Sequence, residues 1–243
     1  FRIDHADGEV TGTIAYLRNT NVSRVECRAG EHAWEVIDFA PRIPQGLGVH
    51  APLTLVRLVR PLAGAPYVRV VFDPRPDYAR ADAELHEVGD AIAVANAGVP
   101  LVLKSSVPNS YVLERRAFVL SEPAWFVLAD PAGDGHWDLA RVQHELERTV
   151  AGWRAWAASL ALPSFHPEAV LRSALVLKLH TSEDTGAVIA AATTSVPEAM
   201  GTPRTWDYRY CWLRDAAFVV EVLRRLGHVA EGERFMRFLR DVT

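Results

Sequence analysis

Cysteine is almost missing from this chain, with only Cys27 and Cys211 in 243 residues. One lies in a strand-like segment and the other in an aromatic stretch far from it. Such a pair builds neither a disulfide framework nor a metal cluster, and the expectation is a reducing, cytoplasmic setting. Long apolar runs are missing too. Val99 to Leu103 and Ala187 to Ala192 are far too short to cross a bilayer, so no membrane partner is expected. Basic charge is not in excess: 26 Lys and Arg against 30 Asp and Glu give a net charge of -4, which leaves no face to attract nucleic acid. No repeat period of roughly 20 to 50 residues is present, which disfavours a helical-repeat scaffold. His5, His32, His50 and His86 stand singly along the chain, without the clustering a metal requires, and are read as surface or packing residues. No leader is evident. The chain starts at Phe1 and stops at Thr243 inside a helical pattern, so both natural ends are expected to be missing.

The composition, 49% hydrophobic and 23% charged, is globular, and the length suggests about two domains with real cores. From Phe1 to about Phe126 the hydrophobic period is mostly two. It runs through Glu9 to Tyr16, Trp34 to Phe39, Thr54 to Arg60 and Tyr67 to Phe72. Ile92 to Ala95, Val99 to Lys104, Tyr111 to Leu113, Arg116 to Leu120 and Trp125 to Leu128 continue it. Short strands with no helix between them argue for an antiparallel sandwich, because parallel sheets need long crossovers.

At Pro131 to Gly135 the composition breaks to turn residues, and the period then becomes helical. Leu139, Val142, Leu146, Val150, Trp153 and Trp156 mark a long amphipathic helix starting near Asp138, with both tryptophans on its core stripe. Leu162 to Pro167 ends it, and Pro167 starts the next helix at a tolerated first-turn position. Gly186 and a proline-ended loop interrupt the helices. The period returns from Ala216, stops at Gly227 and resumes to Val242.

The stretch Arg204 to Asp215 carries four aromatic rings, three arginines and two aspartates in twelve residues. Rings that lie against a weakly polar face, beside a guanidinium and a carboxylate that bind hydroxyls, suit a pyranose pocket. Arg214 and Asp215 fall at the start of a helix, where adjacent opposite charges are expected to pair poorly and so to stay free for a ligand. On local sequence alone, Asp215 as a helix cap and Arg214 as a solvated residue remain equally open. Tyr208, Tyr210 and Trp212 alternate, and an extended backbone would put them on one side, in a pocket or in a core. Trp206 and Asp207 are read as anchoring the motif, and Glu198 as a loop carboxylate that supports it.

Thr193-Thr194-Ser195-Val196-Pro197-Glu198, followed by Arg204-Thr205-Trp206-Asp207-Tyr208-Arg209-Tyr210-Cys211-Trp212-Leu213-Arg214-Asp215-Ala216, resembles the signature of glycoside hydrolase family 15, the bacterial glucoamylases and trehalase-like enzymes. The resemblance extends back through Arg172 to Leu179 and Thr185 to Ala191, and forward through Gly227 to Glu231. Glu35 to Pro41 and Asp73 to Tyr78 are weaker landmarks. Thr205 stands where asparagine is common, and Gly201-Thr202-Pro203 replaces a double-glycine turn.

The resemblance implies a multidomain β + α chain. An antiparallel β super-sandwich would span residues 1–130, a helical linker 131–164, and the first helices of an (α/α)6 toroid 165–243. Its partner would be an α-glucoside, either a maltooligosaccharide or trehalose. Arg214 and Asp215 would grip the innermost glucose, with Tyr208 near its ring and Trp212 lining the pocket and positioning the general acid. The family's inverting mechanism needs two carboxyl groups about 6.5 to 9.5 Å apart. Both are expected beyond Thr243, so no catalytic residue is assigned here. Glu198, Glu221, Glu231 and Glu233 are passed over, the last three as residues of solvated helix faces. Family trehalases are associated with phosphate or magnesium, but no phosphate loop or ligand cluster answers to either, and no metal or cofactor is assigned. A non-catalytic glucoside-binding or sensing protein is the alternative. Nothing in the sequence sets an oligomeric state.

Overall fold

The computed structural model describes residues 1–46, 48–132, 135–192 and 199–243. They form two compact units. The first holds Phe1–Arg18, Val22–Gln45 and His50–Gly152, and the second Asn19–Asn21, Gly46–Val49 and Trp153–Thr243. No helix of the described residues is long and apolar enough to cross a membrane.

The first unit is built on antiparallel strands. Its larger sheet has eight, in the order β2 (Thr11–Tyr16), β3 (Ser23–Ala29), β4 (His32–Phe39), β7 (Thr54–Ala63), β13 (Ala124–Ala129), β11 (Leu101–Ser105), β10 (Ala91–Val94) and β9 (Leu85–Val88). A three-stranded sheet takes β1 (Arg2–His5), β8 (Tyr67–Val71) and β12 (Ala117–Val119), and β5 (Ile43–Gln45) is a further short strand of this unit, whereas β6 (Gly48–His50) falls mostly in the second. One core joins the two sheets: Trp34, Val36, Val59, Ile92, Leu103 and Phe126 meet Val68, Val70 and Phe72. Strand alternation explains β4. Trp34 and Val36 enter that core, while Glu35, Ile37 and Phe39 project from the opposite face and are also buried. Buried Glu35 is tolerated because Arg24 and Arg60 reach it at 2.5 and 2.6 Å.

One expectation about this unit needs correction. Tyr111 to Leu113 is helical, not strand: α2 (Asn109–Leu113) follows Pro108, and bonds from Tyr111 N–H to Pro108 O and Glu114 N–H to Ser110 O, at 2.9 and 3.0 Å, close it. With α1 (Pro76–Ala79), it gives the strand series two helical interruptions. The period-two reading failed there because a three-residue apolar run fits one helical turn as well as a strand. His5 and His32, single in sequence, stack in space at 6.0 Å, and His5 also stacks on Trp34. His32 Nδ1 accepts the Ala65 N–H at 3.1 Å, which is a packing role.

Helix α3 (Leu139–Ala158) begins where the sequence predicts, with Asp138 Oδ1 accepting the Arg141 N–H at 2.7 Å as a cap. The second unit adds α4 (Pro167–Leu179), α5 (Leu213–Arg225) and α6 (Val229–Val242). Pro167 occupies the first turn of α4, as its fixed φ allows. Gly227, at φ 93°, ends α5: its own N–H reaches Arg224 O at 3.0 Å and the His228 N–H reaches Leu223 O at 2.9 Å, a Schellman stop. Leu160, Ala174 and Leu226 form a core with Trp156, Val170 and Leu171, and Trp153 is buried as its spacing predicts. Phe218, Val222 and Met236 leave an apolar face of α5 and α6 exposed.

Candidate functional site

The aromatic motif is held by a short hairpin that follows α4. Thr181 bridges Val188, the Ser182 N–H donates to Ala187 O at 2.8 Å, and the Gly186 N–H donates to Ser182 O at 3.0 Å. Val188 then packs with Ala216 of α5 and Phe235 of α6, and half-buried Cys211 and Val219 lie against them. Two residues on, the Ala190 N–H donates to Tyr210 O at 3.1 Å and the Ala191 N–H to Tyr208 O at 2.7 Å. The motif's backbone is therefore fastened from behind. Thr193 to Glu198 lie outside the described residues, and Glu198 with them.

The alternation expected of Tyr208, Tyr210 and Trp212 is not found. Asp207 Oδ1 accepts the Arg209 N–H at 2.9 Å and its carboxylate also takes the Arg209 guanidinium, so residues 208–210 turn rather than extend. The turn brings Tyr208 onto Trp212, with ring centres 5.2 Å apart, while Trp206 meets Trp212 edge-on at 6.2 Å. Tyr210 stands away from them, 69% exposed, and joins the assembly through its carbonyl. Trp212 is fixed by its indole N–H, which donates to Asp207 O at 3.0 Å.

Trp212 also caps α5, placing Arg214 and Asp215 in the first turn. Contrary to the sequence expectation, the two pair: Arg214 Nη2 donates to Asp215 Oδ2 at 3.1 Å. An arginine stem is long enough to fold back on its neighbour at a helix end, where the first turn leaves space. The bond is single and its arginine is 68% exposed, which makes it a weak contact that a ligand can replace. The same guanidinium carbon lies 5.9 Å from the centre of the Trp212 ring. The result is a half-open patch with rings, a cation and an anion on adjacent surfaces.

Residues 164–243 match the model of the glycosyl hydrolases family 15, and residues 16–117 match that of the trehalase-like N-terminal domain. The chain's second part is family 15-like and its first part trehalase-like. A Trehalase of Thermoplasma acidophilum is 43% identical over 97 residues, covering 40% of this chain and 17% of that protein. A Trehalase of Mycobacterium tuberculosis is also 43% identical over 97 residues, 40% of this chain and 14% of its own length. Trehalase 1 of Sulfolobus acidocaldarius is 50% identical over 54 residues, 22% of this chain and 10% of its own. The matched stretches thus span under a fifth of each relative. No solved structure gives a significant match.

In this family 15-like segment several carboxylates around the motif are already committed. Asp207 is held below its ordinary pKa by hydrogen bonds from Arg209. Glu221 is lowered to about 2 by Arg224 and then Arg225. Glu231 corrects the expectation of a solvated face, because it is buried in the first turn of α6. Burial works to raise its pKa, but Lys178 and Arg234 outweigh that and hold it below the usual range. Lys178 Nζ is 2.6 Å from Glu231 and 2.7 Å from Glu183. The sequence signal was available in part, since Lys178 lies inside an otherwise apolar helix face. Its partners sit on other elements. Among the described residues, no three His, Cys, Asp or Glu side chains gather as metal ligands.

Proposed function

We propose that this chain supplies the inner glucose pocket of an inverting, exo-acting glycoside hydrolase of the trehalase type, which releases β-glucose from an α-glucoside. The observation that carries the reading is one assembly: Trp206, Tyr208 and Trp212 clustered beside Arg214 and Asp215 in the first turn of α5, within the family 15 segment. The names of the relatives favour trehalose over maltooligosaccharides as substrate. In this reading Asp215 accepts from sugar hydroxyls, Arg214 donates to others, and their mutual bond opens when glucose arrives. Tyr208 and Trp212 give the ring its apolar wall, with Trp206, Asp207, Tyr210 and Glu198 behind them. Residues 1–130 form the super-sandwich, 131–164 the linker and 165–243 the opening of an (α/α)6 toroid. A cytoplasmic setting belongs to the same proposal.

Inversion needs a general acid with a raised pKa and a base about 6.5 to 9.5 Å from it. The described carboxylates whose pKa moves, Asp207, Glu221 and Glu231, all move the other way. In this reading the acid and base lie beyond Thr243, as the likeness to family 15 implies. The test is cleavage of trehalose, maltose and maltotriose by the full-length protein, followed by NMR. Trehalose cleavage by inversion gives equal α- and β-glucose at first, whereas retention gives only α. Arg214→Ala and Asp215→Ala each remove hydrogen bonds to a charged group, worth roughly 1.5–3 kcal/mol, and should lower kcat/KM by about 10- to 150-fold or more. A protein that cleaves none of these but loses glucose binding on those substitutions would be a binding or sensing protein instead.

A further inference from the structure

Behind the motif lies a cluster of four charges that the proposed chemistry does not use. Lys178 ends α4, Glu183 sits in the hairpin turn, and Glu231 and Arg234 open α6. The side chains of Lys178, Glu183 and Glu231 are no more than 6% exposed. Lys178 Nζ lies between the two glutamates at 2.7 and 2.6 Å, and Arg234 pairs with Glu231 and stands 3.8 Å from Glu183. Two cations and two anions sum to zero within the cluster. Its role is not well explained by stability, because well-packed apolar side chains commonly hold buried elements together at least as firmly as buried ions. What ions add is direction. A buried carboxylate is tolerated only where its partners are, so the Glu183 turn is confined to one position between α4 and α6.

That turn belongs to the hairpin whose outgoing residues, Ala190 and Ala191, donate to the carbonyls of Tyr210 and Tyr208. The hairpin is anchored by Val188 in the core, by Gly186 against the Arg234 backbone and by Glu183 in the ion cluster. We infer that Lys178, Glu183, Glu231 and Arg234 are positioning residues for the sugar site, setting the 188–191 segment and through it the Tyr208 and Trp212 rings against Arg214 and Asp215. The inference rests on the proposed function, since it concerns the same pocket. Glu183 is the decisive member: it fastens the turn, whereas Lys178, Glu231 and Arg234 also tie α4 to α6.

The experiment compares Glu183→Gln with the wild type in the full-length protein, reading glucose affinity by tryptophan fluorescence, KM and kcat for trehalose, and the melting temperature. The variant keeps the shape of the side chain and leaves the Lys178–Glu231 pair intact. Glucose Kd and trehalose KM are expected to rise about tenfold while kcat changes less than about twofold, the pattern of a lost ground-state pocket. Glu183→Asp, which restores the charge, should recover part of the affinity. Glu221→Gln, on an exposed cluster of α5, should leave both constants unchanged. A folded Glu183→Gln protein with wild-type Kd and KM would overturn the inference alone. If Glu183→Gln does not fold, Arg234→Gln, which removes the more exposed cation beside Glu183 and Glu231, carries the same expectation, and unchanged constants there overturn it equally. A wild-type protein that neither binds glucose nor cleaves any α-glucoside removes the proposed function and this inference with it.

Discussion

Gly186 is the residue at which backbone geometry most directly limits the sequence. Its φ of 79° lies in the left-handed region, and a Cβ added there would meet the backbone carbonyl carbon and oxygen of Arg234 at 2.7 and 2.8 Å. Strain and overlap act together, and the obstacle is helix backbone, not a side chain that can swing away. Gly186→Ala should therefore destabilise the second unit by about 2–4 kcal/mol, combining the left-handed penalty with the overpacking cost. Urea unfolding would measure it, and a loss below about 0.5 kcal/mol, the size of an ordinary surface change, would contradict the close approach. The turn itself was legible, since a glycine before a small apolar run announces one. The Arg234 backbone against it was not, because nothing local says which helix will cover a turn. Glu231 failed for a related reason. A glutamate in a first helical turn is normally solvated, and only tertiary structure brings Lys178 and Arg234 to it. Asp207 shows a third kind of miss: reading Tyr208 to Trp212 as extended overlooked that an Asp can bond the N–H two residues on and fold the chain.

At the scale of elements, the start of α6 carries a pH dependence. His228 precedes the helix, lies tilted against Trp156 with ring centres 4.9 Å apart and sits 3.2 Å from Ser159 Oγ. Burial lowers its pKa, with Lys178 and Arg234 adding to the effect and Glu231 opposing it. The N-terminal end of a helix also disfavours a cation. A histidine whose pKa falls on folding is protonated more readily in the unfolded chain, so stability is highest above its ordinary pKa of about 6.5 and declines as pH falls below it. Glu231, also lowered, contributes stability that is present above its ordinary value of 4.5 and is lost as pH falls through its lower folded value. Both act in the same direction. The melting temperature should fall in two stages on acidification, and His228→Gln should flatten the first, between about pH 7 and 5, while keeping the second. A wild-type melting temperature constant from pH 7.5 to 5.5 would refute the first stage. Most elements were legible as such: α3 from its Asp138 cap, α4 from Pro167 and the end of α5 from Gly227 all carry local chemistry. The exceptions were the short α1, β1, β5, β6 and β9, which were not read at all, and α2, whose single turn offers no period and was read as strand.

For the molecule as a whole, the question is whether the proposed glucose site can also cleave a glucosidic bond. Binding requires groups that match hydroxyls and a ring face, and Arg214, Asp215, Tyr208 and Trp212 are such groups on one patch. Cleavage requires a proton delivered to the leaving oxygen and a water activated on the opposite side. A general acid must keep its proton near neutral pH, which asks for burial without a cation partner. Among the described residues, buried Glu231 has two cation partners, and exposed Glu221, with a pKa of about 2, is ionised throughout the useful range. Neither can serve. The 243-residue chain assayed alone is therefore expected to turn over neither trehalose nor maltose, while the full-length protein does. Turnover by the chain alone would put a catalytic carboxylate within it, and Glu198, outside the described residues, would be the first to substitute. If the chain alone is silent, transferring Arg214→Ala into the active full-length protein separates the two requirements. KM should rise if the patch is the glucose subsite, and a loss confined to kcat would instead place Arg214 among the groups that act only in the transition state.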